Sequence, residues 1–271
     1  MSNNSSGNRI YINLSNISTG GAIQVAMSFI DHVIQLEHNH NFYFLFSIRL
    51  HKEINSSHLS PYLSKLSYRI INKHSLFFYF TIMQPKKIFT LFGPLYSFNL
   101  LNRRDWISGF AQPWILYPKN KVYDELGLIT QLKFKIIFWI QKAFFFNSHT
   151  LIVEHDGIKA KLQELFRSKK IIVASNCLNQ IFLNPSNWKS IKINKTEKLK
   201  IGVIGRNYIH KNLSIIPAVH KYLKKNHSIK AQFFCTLTSK EMDKMSRDFK
   251  KKVISLGELS INQCPDFYNN M

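Results

Sequence analysis

Short β-branched and aromatic runs alternate with segments of helical periodicity along nearly the whole chain, and this alternation constrains the fold more than any other feature. Residues 9–14, RIYINL, read as a strand, SNISTGG as a loop, and AIQVAMSFIDHVIQL as a helix with Ile23, Met27, Ile30 and Ile34 on one face. Strand, glycine-bearing loop and helix open a βαβ unit, because parallel strands need a crossover that is usually helical. FYFLFSI (42–48), YRIINK (68–73) and KIFTLFG (87–93) read as further strands, each short, apolar and bounded by polar, Gly or Pro residues. HTLIVEH (149–155) and KIIVAS (170–175) continue the series, with GIKAKLQELFRSK as the helix between them.

After Phe182 the composition shifts. LNPSNWKSIKINKTEKLK is polar, basic and contains Pro, which reads as a linker. The alternation then restarts with LKIGVIG as a strand, NLSIIPAVHKYLKK as a helix and AQFFCTL as a strand. SKEMDKMSRDFKKK reads as one charged helix and VISLGEL as the next strand, and Pro217 falls in a first helical turn, where a missing N–H is tolerated. The sequence therefore predicts two doubly wound α/β domains: residues 1–183, a linker over 184–199, and residues 200–271. The stretch after Leu183 is short against the roughly 100–200 residues of an ordinary domain, so the second domain reads as incomplete.

Hydrophobic residues make up 45% of the 271, enough for a sizeable core. The net charge of +22 points to anionic partners, nucleic acid, phosphorylated substrates or an anionic membrane face, although a Lys-, Asn-, Ile- and Phe-rich composition also follows from AT-rich coding. The basic residues are spread along the chain and no RNP, zinc-finger or helix-turn-helix pattern occurs, which argues against a nucleic-acid partner. Cys177, Cys235 and Cys264 are scattered without CxxC spacing, as suits a reducing cytoplasm. The N-terminus has no apolar signal region and no window holds eighteen consecutive apolar residues, so the expected location is cytoplasmic, or peripheral on the inner face of the cell membrane.

Two glycine-bearing loops follow the first strand of each predicted domain, where open parallel sheets bind their ligands. Gly20 and Gly21, after Thr19, lack side chains and let backbone amides approach a phosphate or sugar; the alternative is a plain tight turn. The loop is neither GxGxxG nor Walker A. In the second loop, GRNYIHKN, Gly205 ends a strand and Arg206, Asn207 and Lys211 lead toward a helix. Arg offers a planar fork and Lys a point charge for a diphosphate; the alternative is that both simply face solvent.

The pattern strand–GR–x4–KN–helix resembles the donor-phosphate motif of GT-B glycosyltransferases, in the large retaining family (the family 4 type) that includes many bacterial O-antigen and capsule enzymes. INLSNISTGGAIQVAMSFI is similar to that family's first strand, Gly-rich loop and helix. WISGFAQPWILYPKN (106–120), LIVEHDGIKAKL (151–162), KIIVASNCLNQIF (170–182) and VISLGELSINQCPDFYNN (253–270) resemble further segments, in the same order, across nearly the whole chain. The resemblance implies that Arg206 and Lys211 bind the diphosphate of a nucleotide-sugar donor and stabilise the departing nucleoside diphosphate without a catalytic metal or other cofactor. It implies that Gly20 and Gly21 line the cleft near the transferring sugar or diphosphate, that Gly205 and Asn207 bind substrate, and that the reaction retains anomeric configuration. The acceptor it implies is a lipid-linked oligosaccharide or growing polysaccharide of a bacterial surface glycan. The family's paired glutamates, with seven residues between them, have no counterpart before Met271. The alternative is therefore a truncated, inactive relative that only binds acceptor or membrane.

Three other features need placing. LKFKIIFWIQKAFFF (132–146), with Lys133, Lys135 and Lys142, either lies in an anionic membrane interface or is buried between layers. His38, His40, His149, His155 and His210 show no metal-ligand spacing. Glu154 follows a strand and is a candidate to face the cleft, beside His155 and Asp156.

Overall fold

A computed structural model describes residues 9–18, 20–36, 41–72, 75–83, 85–97, 105–194 and 196–271. Thr19, His38, His40 and Lys73 lie outside them. Contacts divide the chain into two compact units, Met1–Leu178 and Asn179–Met271.

The first unit is built on seven strands: β1 (Ile10–Leu14), β2 (Phe42–Phe46), β3 (Ser67–Ile70), β4 (Lys87–Thr90), β5 (Asp105–Gly109), β6 (Thr150–Val153) and β7 (Lys170–Val173). They form one parallel sheet in the order β3-β2-β1-β4-β5-β6-β7, with Ile10 opposite Phe42 on one side of β1 and opposite Lys87 on the other. The winding reverses between β1 and β4. Such a reversal opens a crevice at the carboxyl ends of the strands. The helices of this unit are α1 (Gly20–Ile34), α2 (Ile48–Asn55), α3 (Leu76–Met83), α4 (Lys121–Asp124), α5 (Leu128–Phe145) and α6 (Asp156–Leu165). On α1, Ile23, Ala26, Met27, Ile30 and Val33 are buried at helical spacing; Val33 takes the inward place expected of Ile34. Trp106 on β5 is fully buried among Leu45, Phe80 and Ile88, with its indole N–H donating to the Pro85 carbonyl at 3.1 Å.

β5 was not foreseen, because the chain around DWISG reads as a loop. Gly109 explains how it fits. A Cβ there would stand 1.9 Å from the Leu91 carbonyl oxygen, so only glycine allows the two strand ends to meet, and the Gly93 N–H donates to the Gly109 carbonyl. The 132–146 segment is helical within α5, but the buried alternative fails: of its helical residues only Phe145 is buried.

The second unit holds β8 (Leu199–Val203), β9 (Ala231–Cys235) and β10 (Val253–Ser255), parallel and in the order β10-β9-β8, with Ile201 opposite Phe233. α7 (Ile216–His227) packs with Leu213, Phe233 and Phe249 in one core, and Pro217 sits in its first turn. The stretch expected as one charged helix is two: α8 (Ser239–Asp243) and α9 (Arg247–Lys252). Ser246 causes the break, since its hydroxyl accepts the Phe249 N–H and starts a new helix. α10 (Cys264–Asn269) closes the unit; its Phe267 ring lies against Gly202 of β8, where an added Cβ would come within 2.6 Å of it. Residues 179–194 and 196–198 belong to this unit. The Trp188 indole N–H donates to the Ile181 carbonyl at 2.7 Å, and the Ile191 N–H to the Asp266 carboxylate at 2.8 Å. Both units have the parallel α/β, Rossmann-like class expected of a GT-B chain.

Candidate functional site

In the second unit, the loops that leave the carboxyl ends of β8, β9 and β10 meet. Thr236, just past β9 and buried, ties down the first of them. Its hydroxyl accepts the Gly205 N–H at 3.0 Å and lies 3.2 Å from the Gly205 carbonyl. This clamp fixes the backbone immediately before Arg206.

Arg206 is held by two carboxylates. Its Nε–H donates to Glu241 Oε1 at 3.1 Å and its Nη1 lies 3.3 Å from Glu258 Oε2. Glu241 comes from α8 and is the hub of the site. One carboxylate oxygen also accepts the Asn207 N–H at 3.1 Å; the other accepts the Thr238 N–H and hydroxyl, both at 2.9 Å. The reciprocal bond from the Glu241 N–H to Thr238 Oγ1 completes a capping box, which satisfies two amides at the start of α8. Burial works against ionisation of Glu241, but the Thr238 and Asn207 donors and the Arg206 guanidinium outweigh it and hold the carboxyl below the usual range. For Arg206, burial likewise opposes charge, while Glu241 and Glu258 push its pKa up further.

Arg206 is therefore a pre-oriented fork and not an open one. A guanidinium carries five N–H donors, and among the described residues the two carboxylates engage two of them. The two partners differ in mobility. The Glu241 side chain is 19% exposed and held by four donor groups, whereas Glu258 is 49% exposed. Glu258 follows Gly257, whose φ of +76° suits glycine.

Lys211 closes a 3-10 turn over Ile209–Lys211 on the same loop, with its side chain exposed. Asn212 follows at φ +46°, and a second short turn, Leu213–Ile215, intervenes before α7 begins at Ile216, later than the sequence pattern implied. Tyr208 and His210 stack their rings 5.5 Å apart on the outer side of the loop. The structure thus gathers Gly205, Arg206 and Asn207 with Glu241 and Glu258, and places Lys211 farther along the same sheet edge. Sequence reasoning missed Glu241. Its signal was present in Thr238-x-x-Glu241 directly after a strand, the signature of a capping box.

Gly20, Gly21 and Glu154 belong to the first unit. Gly20 has φ +53° and opens α1 beside the reversal at β1 and β4; a Cβ on either glycine would meet nothing within 4 Å, so both face open space. The Asn16 side chain donates to the Phe92 carbonyl across this reversal, and its Oδ1 is buried without a hydrogen-bond partner among the described residues. Glu154 is exposed at the end of β6, three strands from β1, about 14 Å at ordinary strand spacing. It does not join the glycine loop in one contact set. His155 caps α6 by accepting the Gly157 N–H at 2.9 Å. Among the described residues no three His, Cys, Asp or Glu side chains gather as a metal site.

No family model matches the sequence, and no curated protein matches it. Solved structures do. Staphylococcus aureus MnaA in complex with UDP superposes with a TM-score of 0.55 at 10% identity, over 97% of this chain and 71% of that one. The lipopolysaccharide outer core galactosyltransferase WaaB gives 0.43 at 11% identity, over 93% and 68%. A UDP-glucose:anthocyanidin 3-O-glucosyltransferase with UDP gives 0.45 at 6% identity, over 94% and 73%. At such identities the first of these likenesses speaks for the fold alone.

Proposed function

We propose that this chain binds a nucleotide-sugar donor at the carboxyl edge of its second sheet and transfers the sugar to a lipid-linked oligosaccharide or growing polysaccharide. The setting is bacterial surface-glycan assembly at the cytoplasmic side of the membrane. One observation carries the reading: Arg206 is held in orientation at a parallel-sheet edge, with two of its five N–H donors engaged by carboxylates among the described residues. A donor diphosphate arriving there displaces Glu258 and takes its place on the guanidinium, while Glu241 keeps the fork aimed. Lys211 adds a second positive charge on the same loop. Charge then grows on the leaving nucleoside diphosphate as the glycosidic bond breaks, and fixed cations stabilise it most where it grows. In this reading the two side chains supply that charge without a divalent metal, and anomeric configuration is retained. Gly20, Gly21 and Glu154 belong to the sugar and acceptor side.

The test is turnover of radiolabelled UDP-, GDP- and ADP-sugars with membrane-extracted acceptor lipids. The reading expects turnover of at least one donor, and a loss of at least about tenfold in Arg206→Ala and in Lys211→Ala. Unchanged rates in both variants refute their roles.

One observation favours a second reading. Two carboxylates already surround Arg206, so its charge is compensated without any ligand. In that reading Arg206 only braces α8, and the chain binds acceptor or membrane without transferring sugar. Absence of nucleotide binding with undiminished lipid binding would select it.

A further inference from the structure

The outward face of α5 serves neither the core nor the sheet-edge sites. The helix is apolar on both sides. Its inner side packs Phe134 and Phe138 against Trp114, at ring distances of 5.7 and 6.2 Å, and Phe145 against Phe110 at 5.0 Å. Its outer side exposes Leu128, Ile129, Leu132, Ile136, Trp139 and Ile140, with Ile129 at 87% and Trp139 at 73%. At 100° per residue these six occupy one arc of about 120°. Lys133 lies just beyond one edge of the arc, and Lys135 and Lys142 just beyond the other, all within about 40°. No Asp or Glu occurs between Leu128 and Phe146.

We propose that this face is a docking surface for an anionic lipid bilayer, with α5 lying in the plane of the headgroups. A large aromatic-aliphatic stripe bordered by lysines on both sides matches a bilayer interface: the stripe sinks to the acyl boundary, Trp139 sits at headgroup depth, and the lysines reach anionic headgroups. The helix lies along the surface, since no helix of the described residues is long and apolar enough to cross a membrane. Charge complementarity selects this occupant over a second copy of the chain. Two such faces packed together would bring lysine borders together with no carboxylate on either helix, in a protein of net charge +22. A slot of about 180 Å³ lies along the Lys135–Lys142 edge, lined also by Trp114, Ile115, Pro118 and Phe138, and its lining is mainly apolar. That shape suits a lipid whose phosphate meets the lysines while its chain enters the slot. The inference does not rest on the nucleotide-sugar reading.

The experiment is cosedimentation of the 271-residue chain with phosphatidylcholine vesicles and with vesicles containing 30% phosphatidylserine. Wild type is compared with Lys133→Gln/Lys135→Gln and with Ile136→Gln/Trp139→Gln, all at exposed positions, and circular dichroism confirms that each variant folds. The proposal expects tight, salt-sensitive binding to the anionic vesicles only. Each interfacial lysine contributes about five-fold in partitioning, so the double lysine variant binds about 25-fold more weakly. The apolar variant loses at least about tenfold. Three outcomes overturn the proposal: no vesicle binding at low salt, equal binding to neutral vesicles, or anionic binding that both variants retain. A face-dependent dimer without lipid binding overturns it as well.

Discussion

Replacing Glu241 with Ala removes the hub of the second unit's sheet edge, and the size of the effect follows from its partners. Loss of the capping box costs about 1 kcal/mol. Loss of the acceptor for the Asn207 N–H, a charge-assisted bond, costs about 1 kcal/mol more. The Arg206 pair adds about 0.5 kcal/mol, because the guanidinium is one-third exposed and keeps Glu258. These contacts share one carboxylate and are not additive, so the sum is roughly 2–3 kcal/mol. In a unit of this size each kcal/mol moves the melting midpoint by about 4–8 °C, so the transition of the second unit falls by roughly 10–20 °C in calorimetry. The pH dependence has a definite sign. Glu241 is held below the usual carboxylate range, so its contribution is complete above the unfolded value near 4.3 and is lost as pH falls through the lower folded value. Glu241→Gln, uncharged at every pH, should flatten that acid limb. A Glu241→Ala midpoint within about 3 °C of wild type, or an acid limb unchanged in Glu241→Gln, would refute the argument.

Other sites give sharper contrasts. Glu258→Gln removes the carboxylate that the proposed diphosphate would displace, so UDP affinity should rise a few-fold while the melt stays within about 2 °C; calorimetric titration showing weaker binding would sink the displacement idea. Gly109→Ala drives a Cβ into the Leu91 carbonyl, backbone against backbone, and should cost at least about 3 kcal/mol; a wild-type melting curve would show that the strand ends can separate cheaply.

Much of this was legible in the sequence, for identifiable reasons. The strands that are largely apolar runs, such as FYFLF and AQFFC, are mostly buried in parallel sheets and announce themselves. β5 does not, because DWISG starts with Asp, carries a Ser, and ends with the glycine that its close approach to Leu91 requires. α3 was hidden for the opposite reason: LFFYFTIM is apolar all round and carries no helical period. The same ambiguity left α5 open between burial and a membrane face, since its two apolar sides erase the usual polar stripe. In the candidate site, Arg206 stood out by its place between strand and helix. The carboxylates that hold it come from 35 and 52 residues downstream (241 − 206 and 258 − 206), a separation that only the sheet topology brings together.

The central claim is that the carboxyl edge of the second sheet holds a nucleoside diphosphate on Arg206 and Lys211. Isothermal titration of UDP, GDP and ADP into wild type, Arg206→Ala and Lys211→Ala measures it directly. The account predicts saturable binding of at least one of them to wild type, weakened at least about tenfold in each variant. No binding to folded wild-type protein, or equal affinity in all three proteins, would contradict it.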